Sequence, residues 1–147
     1  IKKIELRGNV TAIVRRPEIQ EDGVLEELVL LAWEGRQVAQ ILTQEQKIRI
    51  GRIKKITLIY SAVSVLHKLE IQEGSVLEEL VLSAYRREDI APILTQEQKI
   101  RIGGIQKIKI SGYAVAVLPK LEIQEDGLLE GLVLSTNLIY PIGSILN

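Results

Sequence analysis

Residues 41–51, Ile-Leu-Thr-Gln-Glu-Gln-Lys-Ile-Arg-Ile-Gly, return letter for letter as residues 93–103. The same step of 52 carries Ile1-Lys2-Lys3-Ile4 onto Ile53-Lys54-Lys55-Ile56 and then onto Ile105-Gln106-Lys107-Ile108. It also superposes residues 24–30 on 76–82 and 128–134, with no gap anywhere. A repeat of this kind must be read before any local pattern, because each copy has to fold alike. The chain divides into copies 1–52, 53–104 and 105–147, the last one shorter. A unit of about 50 residues without disulfide or metal makes only a marginal core. The three copies are therefore expected to share one core in a single domain, 1–147.

Ile, Leu and Val must fill that core, since the chain has no Phe, Met or Cys and one Trp. The absence of Cys excludes disulfides, thiolate chemistry and cysteine zinc sites. Lys plus Arg and Asp plus Glu stand at 19 each, and no copy is strongly biased, so no general field draws the chain to nucleic acid. No apolar run approaches the roughly 18 residues that a membrane span requires, so no membrane insertion is expected. Zero net charge permits association, and self-association or a protein partner is expected to be tolerated.

Within a copy, Ile4 and Leu6 alternate with polar residues, as do Ile56 and Leu58 or Ile108 and Ile110, which predicts a strand. Gly8-Asn9 and Ser111-Gly112 follow as turns, with Tyr60-Ser61 a poorer one. Alternation resumes in a second predicted strand, residues 10–20, with Val63, Val65, Leu69 and Ile71 on one face of its second copy. Pro17 and Pro119 fall inside it, which marks an edge or a bend. Asp22-Gly23 and Asp126-Gly127 read as hairpin turns, Glu73-Gly74 as their counterpart. Residues 24–33, 76–85 and 128–137 fit a helical stripe or a strand. Gly131 and the run Ser135-Thr136-Asn137 are poor helix formers and favour the strand, in a hairpin with the segment before it.

Regular short strands separated by turn signals indicate an all-β barrel or sandwich. Three copies of about four strands each resemble the β-trefoil. The resemblance covers the whole chain but rests on repeat number, length and strand count. The Gln-x-Trp motif of the ricin-type trefoils is absent. It implies a closed, pseudo-threefold, barrel-like fold, in which Leu146 would lie near Ile1. A threefold β-prism and a monomer imitating a trimer of small β units stand as rivals. The long identical stretch and the missing residue types also resemble an engineered or recently duplicated sequence.

The candidate site residues are few. Trp33 aligns with Tyr85, and Asn137 takes the third place; aromatic and amide groups at a strand end suit stacking on a sugar or contact with a partner. Glu26, Glu78 and Glu130 recur in every copy and would converge if the copies closed round an axis, as hard-cation ligands do, although the plainer reading is a solvated rim. His67 has Arg15 and Pro119 as equivalents and is expected at the surface, not at a metal. No phosphate loop, Ser-His-Asp set or GxGxxG appears. The expectation is a non-catalytic structural or scaffold protein that needs no cofactor and no metal. The alternative is a lectin-like module binding a carbohydrate or other ligand at Trp33, Tyr85 and Asn137.

Overall fold

The computed structural model describes residues 3–16, 24–72, 74–123 and 129–135. Nine strands follow one another: β1 (Lys3–Arg7), β2 (Val24–Ala32), β3 (Ile48–Ile50), β4 (Arg52–Tyr60), β5 (Leu69–Ile71), β6 (Val76–Ala84), β7 (Ile100–Gly112), β8 (Leu121–Ile123) and β9 (Gly131–Ser135). Two short α-helices, α1 (Ala39–Thr43) and α2 (Ala91–Leu94), and several 3-10 segments lie between them. The long strands form one sheet in chain order, β1-β2-β4-β6-β7-β9, and every neighbouring pair is parallel. The short strand β3 pairs in parallel with β5, and the start of β7 pairs with β8.

This corrects the expected all-β, closed, trefoil-like barrel. The sheet is open, since β1 pairs only with β2 and β9 only with β7 among the described residues, and helical turns alternate with its strands. The fold is an open coil of parallel strands, one long strand per turn. The 52-residue repeat contains two turns, not one. The registered positions Lys3, Glu27, Lys55, Glu79, Lys107 and Gly131 advance by 24 and 28 residues in alternation. Both halves of each copy thus carry the same apolar spacing. Leu25-x-x-Leu28-x-Leu30 and Ile53-x-x-Ile56-x-Leu58 fall in register on adjacent strands.

The side chains explain the stacking. Leu28, Ile56, Leu80 and Ile108 line one inward column and Leu30, Leu58 and Leu82 another, all with 0% exposure. Burying each contributes roughly 1.5–3 kcal/mol relative to exposure. Parallel neighbours need a connection of about a dozen residues or more, and each turn of the coil supplies one.

Two further expectations change. The predicted second strand is largely a 3-10 segment: Val10–Arg15, Ser61–Lys68 and Tyr113–Lys120. In the second copy Ser61 to Leu66 are all buried, so alternation there marked no face. Among the described residues only β5 and β8 keep the extended form, and Pro119 is accommodated in the 3-10 segment before β8. The ambiguous segments are strands in β2, β6 and β9, but among the described residues they make no hairpin. Ser75 N donates to Gln72 O at 3.1 Å, and Gly74 has φ +84°, so a turn does form there. The strands it joins belong to different sheets, β5 beside β3 and β6 beside β4. Asp22-Gly23, Asp126-Gly127 and Pro17 lie outside the described residues.

Candidate functional site

The carboxyl ends of the long strands carry most of the chain's aromatic residues. Five exist in all, and four of them stand there: Trp33 just after β2, Tyr60 closing β4, Tyr85 just after β6 and Tyr113 just after β7. Successive strands are about 4.8 Å apart, so the four form a row across the sheet edge. The Tyr60 and Tyr85 rings meet edge to face, with centroids 4.8 Å apart and planes at 81°. The Arg86 guanidinium lies 5.2 Å from the Tyr85 centroid, and that of Arg87 lies 5.9 Å from the Tyr113 centroid. Arg86 also donates through Nη2 to the Trp33 carbonyl, which ties the loop after β6 to the loop after β2. Trp33 and Tyr113 remain open to solvent, at 45% and 42% exposure.

A buried carboxylate organises this edge. Asp89 is fully buried. Its Oδ2 accepts from the Tyr85 and Arg86 backbone N–H groups at 3.3 and 3.2 Å, and its Oδ1 accepts from Ser61 Oγ at 3.0 Å and Arg86 Nη2 at 3.4 Å. Four donors offset the cost of taking a charge out of water. Gln37 takes the same place in the first copy, where its Oε1 accepts from Trp33 N at 2.8 Å and Glu34 N at 3.2 Å. Asp89 escaped the sequence reading because it sits in a loop with no periodicity. The signal was there in the alignment of Gln37 with Asp89, four residues after Trp33 and Tyr85.

Tyr60 departs from the repeat in another way. Its φ is +59°, where Gly8 and Gly112 at the equivalent places have +86° and +65°. A residue with a Cβ is strained there. The ring of Tyr60 is nonetheless held in the row by Tyr85.

The sheet face away from the core carries a charge ladder. Glu27 stands 3.8 Å from Lys3 and 3.9 Å from Lys55, while Glu79 stands 3.1 Å from Lys55 and 3.3 Å from Lys109. Partial burial pushes the Glu79 carboxyl up, but hydrogen bonds from Lys55 and Lys109, and their charges, outweigh it and hold its pKa below the usual value. Gly131 interrupts the ladder in the third copy.

The proposed site residues are thus partly brought together. Trp33 and Tyr85 share the edge, with Arg86 between them, whereas Asn137 lies outside the described residues. Tyr85 is part-buried, with the Arg86 guanidinium over its ring and the Tyr60 ring packed against it at 81°. Glu26 and Glu78 do not converge: they lie on β2 and β6 with β4 between, and Glu26 pairs instead with Lys54 at 3.6 Å. No axis gathers the three carboxylates because the coil does not close. Among the described residues no group of three or more His, Asp or Glu is placed to hold a metal ion. His67 is half-buried, and its Nδ1 is buried without a hydrogen-bond partner. Burial, with the charges of Lys68 and Lys47, lowers its pKa. Among the described residues no helix is long and apolar enough to cross a membrane. Comparison with models of known protein families, with curated proteins and with solved structures found no match.

Proposed function

We propose that the chain is a non-catalytic repeat scaffold that recognises a protein partner along the carboxyl edge of its sheet. The observation that carries this reading is the open pair Trp33 and Tyr113, with Arg87, on the one edge where Tyr60 and Tyr85 also stand. Trp, Tyr and Arg dominate the energetics of protein interfaces. The strand spacing supports it as well. The apolar spacing, Leu-x-x-Leu-x-Leu at β2, β6 and β9 and with Ile in two or three of those places at β1, β4 and β7, is similar to that of leucine-rich repeats, and solenoids of stacked repeats present extended binding surfaces. Such repeats place Asn or Cys three residues after the last Leu. In the sequence that place holds Asn9 and Asn137 in the first and last of the six segments and Ser61 in the third, but Trp33, Tyr85 and Tyr113 in the other three. The aromatic row is therefore a departure from the repeat, not a consequence of it.

The clustered titratable groups are Lys–Glu pairs on an open face, where the glutamates offset the positive charge that nucleic acid would need. The sugar reading loses Tyr85, whose ring is already in use. The favoured partner is a peptide segment with carboxylates to meet Arg87 and an apolar side chain to lie on Trp33. Selection from a displayed random-peptide library, followed by calorimetry, tests this. Selected peptides should be acidic and should lose most of their affinity to Trp33→Ala and Arg87→Glu, while Lys109→Ala leaves binding intact. Saturable binding on a glycan array, abolished by Trp33→Ala, would replace this reading with the carbohydrate one.

A further inference from the structure

The 3-10 segment Ser61–Lys68 ends on the chain's one histidine and a lysine. His67 is half-buried, and its Nδ1 is buried with no hydrogen bond. Beside it, Lys68 Nζ donates to the Gln44 carbonyl at 2.6 Å and so ties the segment to the residues that lead into β3. β5 follows Lys68 at once, and its Leu69, Glu70 and Ile71 pair with Ile48, Arg49 and Ile50 of β3. The third copy repeats this strip with one change. Lys120 Nζ donates to the Gln96 carbonyl and β8 pairs with the start of β7, but Pro119 stands where His67 does.

We propose that His67 is an acid-sensitive latch: the neutral ring lets the β3–β5 strip close, and protonation of the ring loosens that strip while the β7–β8 strip stays shut. The proposal goes beyond the carboxyl-edge reading and does not depend on it. Protonation puts a donor on a buried atom that has no hydrogen bond, and a third positive charge beside Lys68 and Lys47. Among the described residues no carboxylate offsets that charge. α1 and α2, packed on the segment, carry no charged residue. Glu70 of β5 faces Arg49 at 4.0 Å, and Asp89 is held by Ser61 and Arg86 at the segment's other end. Glu45, in the same stretch as Lys47, is exposed, and the charged residues of β2, β4 and β6 lie in the outer ladder or are exposed. Burial, then the charges of Lys68 and Lys47, outweigh the Ser64 backbone, which favours the charged ring, and hold the His67 pKa below the usual value. In the open strip the ring regains water, so the open form takes up the proton more readily than the closed one. Closure is complete above the ordinary histidine pKa and weakens as pH falls through it toward the lowered value.

Amide hydrogen exchange of the whole chain, followed by mass spectrometry between about pH 5 and 7, tests this, since histidine is the side chain that ordinarily titrates there. After correction for the intrinsic exchange rate, β3 and β5 should lose protection severalfold toward the acid end, while β8 and the start of β7 should not. In His67→Gln, which puts a neutral amide in the place of the ring, the β3–β5 strip should keep its protection over the same range. A wild-type chain in which both strips loosen alike, or in which neither does, would overturn the proposal. So would a His67→Gln variant whose β3–β5 strip still loosens in acid. The comparison of the two strips is made within one molecule, so it stands even where the variant folds poorly.

Discussion

β6 and β9 have nearly the same sequence and opposite surroundings. Val76-Leu77-Glu78-Glu79-Leu80-Val81-Leu82 becomes Leu128-Leu129-Glu130-Gly131-Leu132-Val133-Leu134, yet Leu80 and Leu82 are sealed while Leu132 and Leu134 are nearly half exposed. The difference is the neighbour. β6 lies between β4 and β7, whereas β9 has β7 alone as a strand neighbour among the described residues. Burial in a stacked coil is thus conferred by the next turn and not by the strand's own residues. The polar fittings diverge in parallel: where the second copy has Tyr60, Glu79 and Asp89, the third has Gly112, Gly131 and Pro141.

The largest test of this contrast is the leucine pair. Leu80→Ala should destabilise the fold by about 2–5 kcal/mol through lost burial and a cavity. Leu132→Ala, at a half-open site, should cost less than half as much in dilute solution. Equal costs in urea denaturation would mean that β9 is as enclosed as β6. Next comes Asp89. Asp89→Ala strands the Ser61 hydroxyl, two backbone N–H groups and the Arg86 guanidinium, and should cost about 2–4 kcal/mol. Its urea midpoint should fall well below that of Glu88→Ala, an exposed neighbour, and coincident midpoints would remove Asp89 from its organising role.

Tyr60 sharpens the comparison with Gly112. Both Tyr60→Gly and Tyr60→Ala lose the ring that packs on Tyr85, but only glycine relieves the positive φ, a strain of about 1–3 kcal/mol. Tyr60→Gly should therefore unfold at a higher temperature than Tyr60→Ala, reversing the usual preference for alanine in ordered structure. Alanine proving the more stable would show that the backbone there is not strained. The smallest effect belongs to Glu79. Its pKa is lower folded than unfolded, so its contribution is present above the ordinary carboxylate range and is lost as pH falls through the folded value. Wild type should exceed Glu79→Gln in stability by a fraction of a kcal/mol at neutral pH, in keeping with partly exposed ion pairs. The gap should narrow in acid. A gap that is unchanged at the acid end of a pH titration would assign it to packing.

The sequence made the repeat, the identity of the core residues and the strand character of β1, β2 and β6 legible, because those follow from composition and period. It concealed the topology. Period-two alternation is the same in parallel and antiparallel strands, so residues 24–33 read as an arm of a hairpin with residues 10–20 until the register set Leu28 and Leu30 beside Ile4 and Leu6. The internal half-repeat was the missed clue, since the identical stretch at 41–51 and 93–103 drew attention to 52 and away from 24 and 28. Of the edge site, Trp33 and Tyr85 were found by aligning copies. Tyr60 was read as a turn residue and Tyr113, beside the Ser111-Gly112 turn, was not singled out, and the hold of Asp89 on the loop is a matter of hydrogen bonds that no pattern announces.

The central claim is that the turns stack in an open row and do not close into a ring. It is tested most directly by the distance between Lys3 and Gly131 within one molecule. Spin labels at cysteines introduced at both positions, with labelled protein diluted into unlabelled, report that distance by pulsed electron resonance. Five strand steps of about 4.8 Å predict a separation of roughly 20–25 Å before allowing for the label arms. A closed sheet would make β1 and β9 neighbours, and a distribution centred near a single strand spacing would contradict the account.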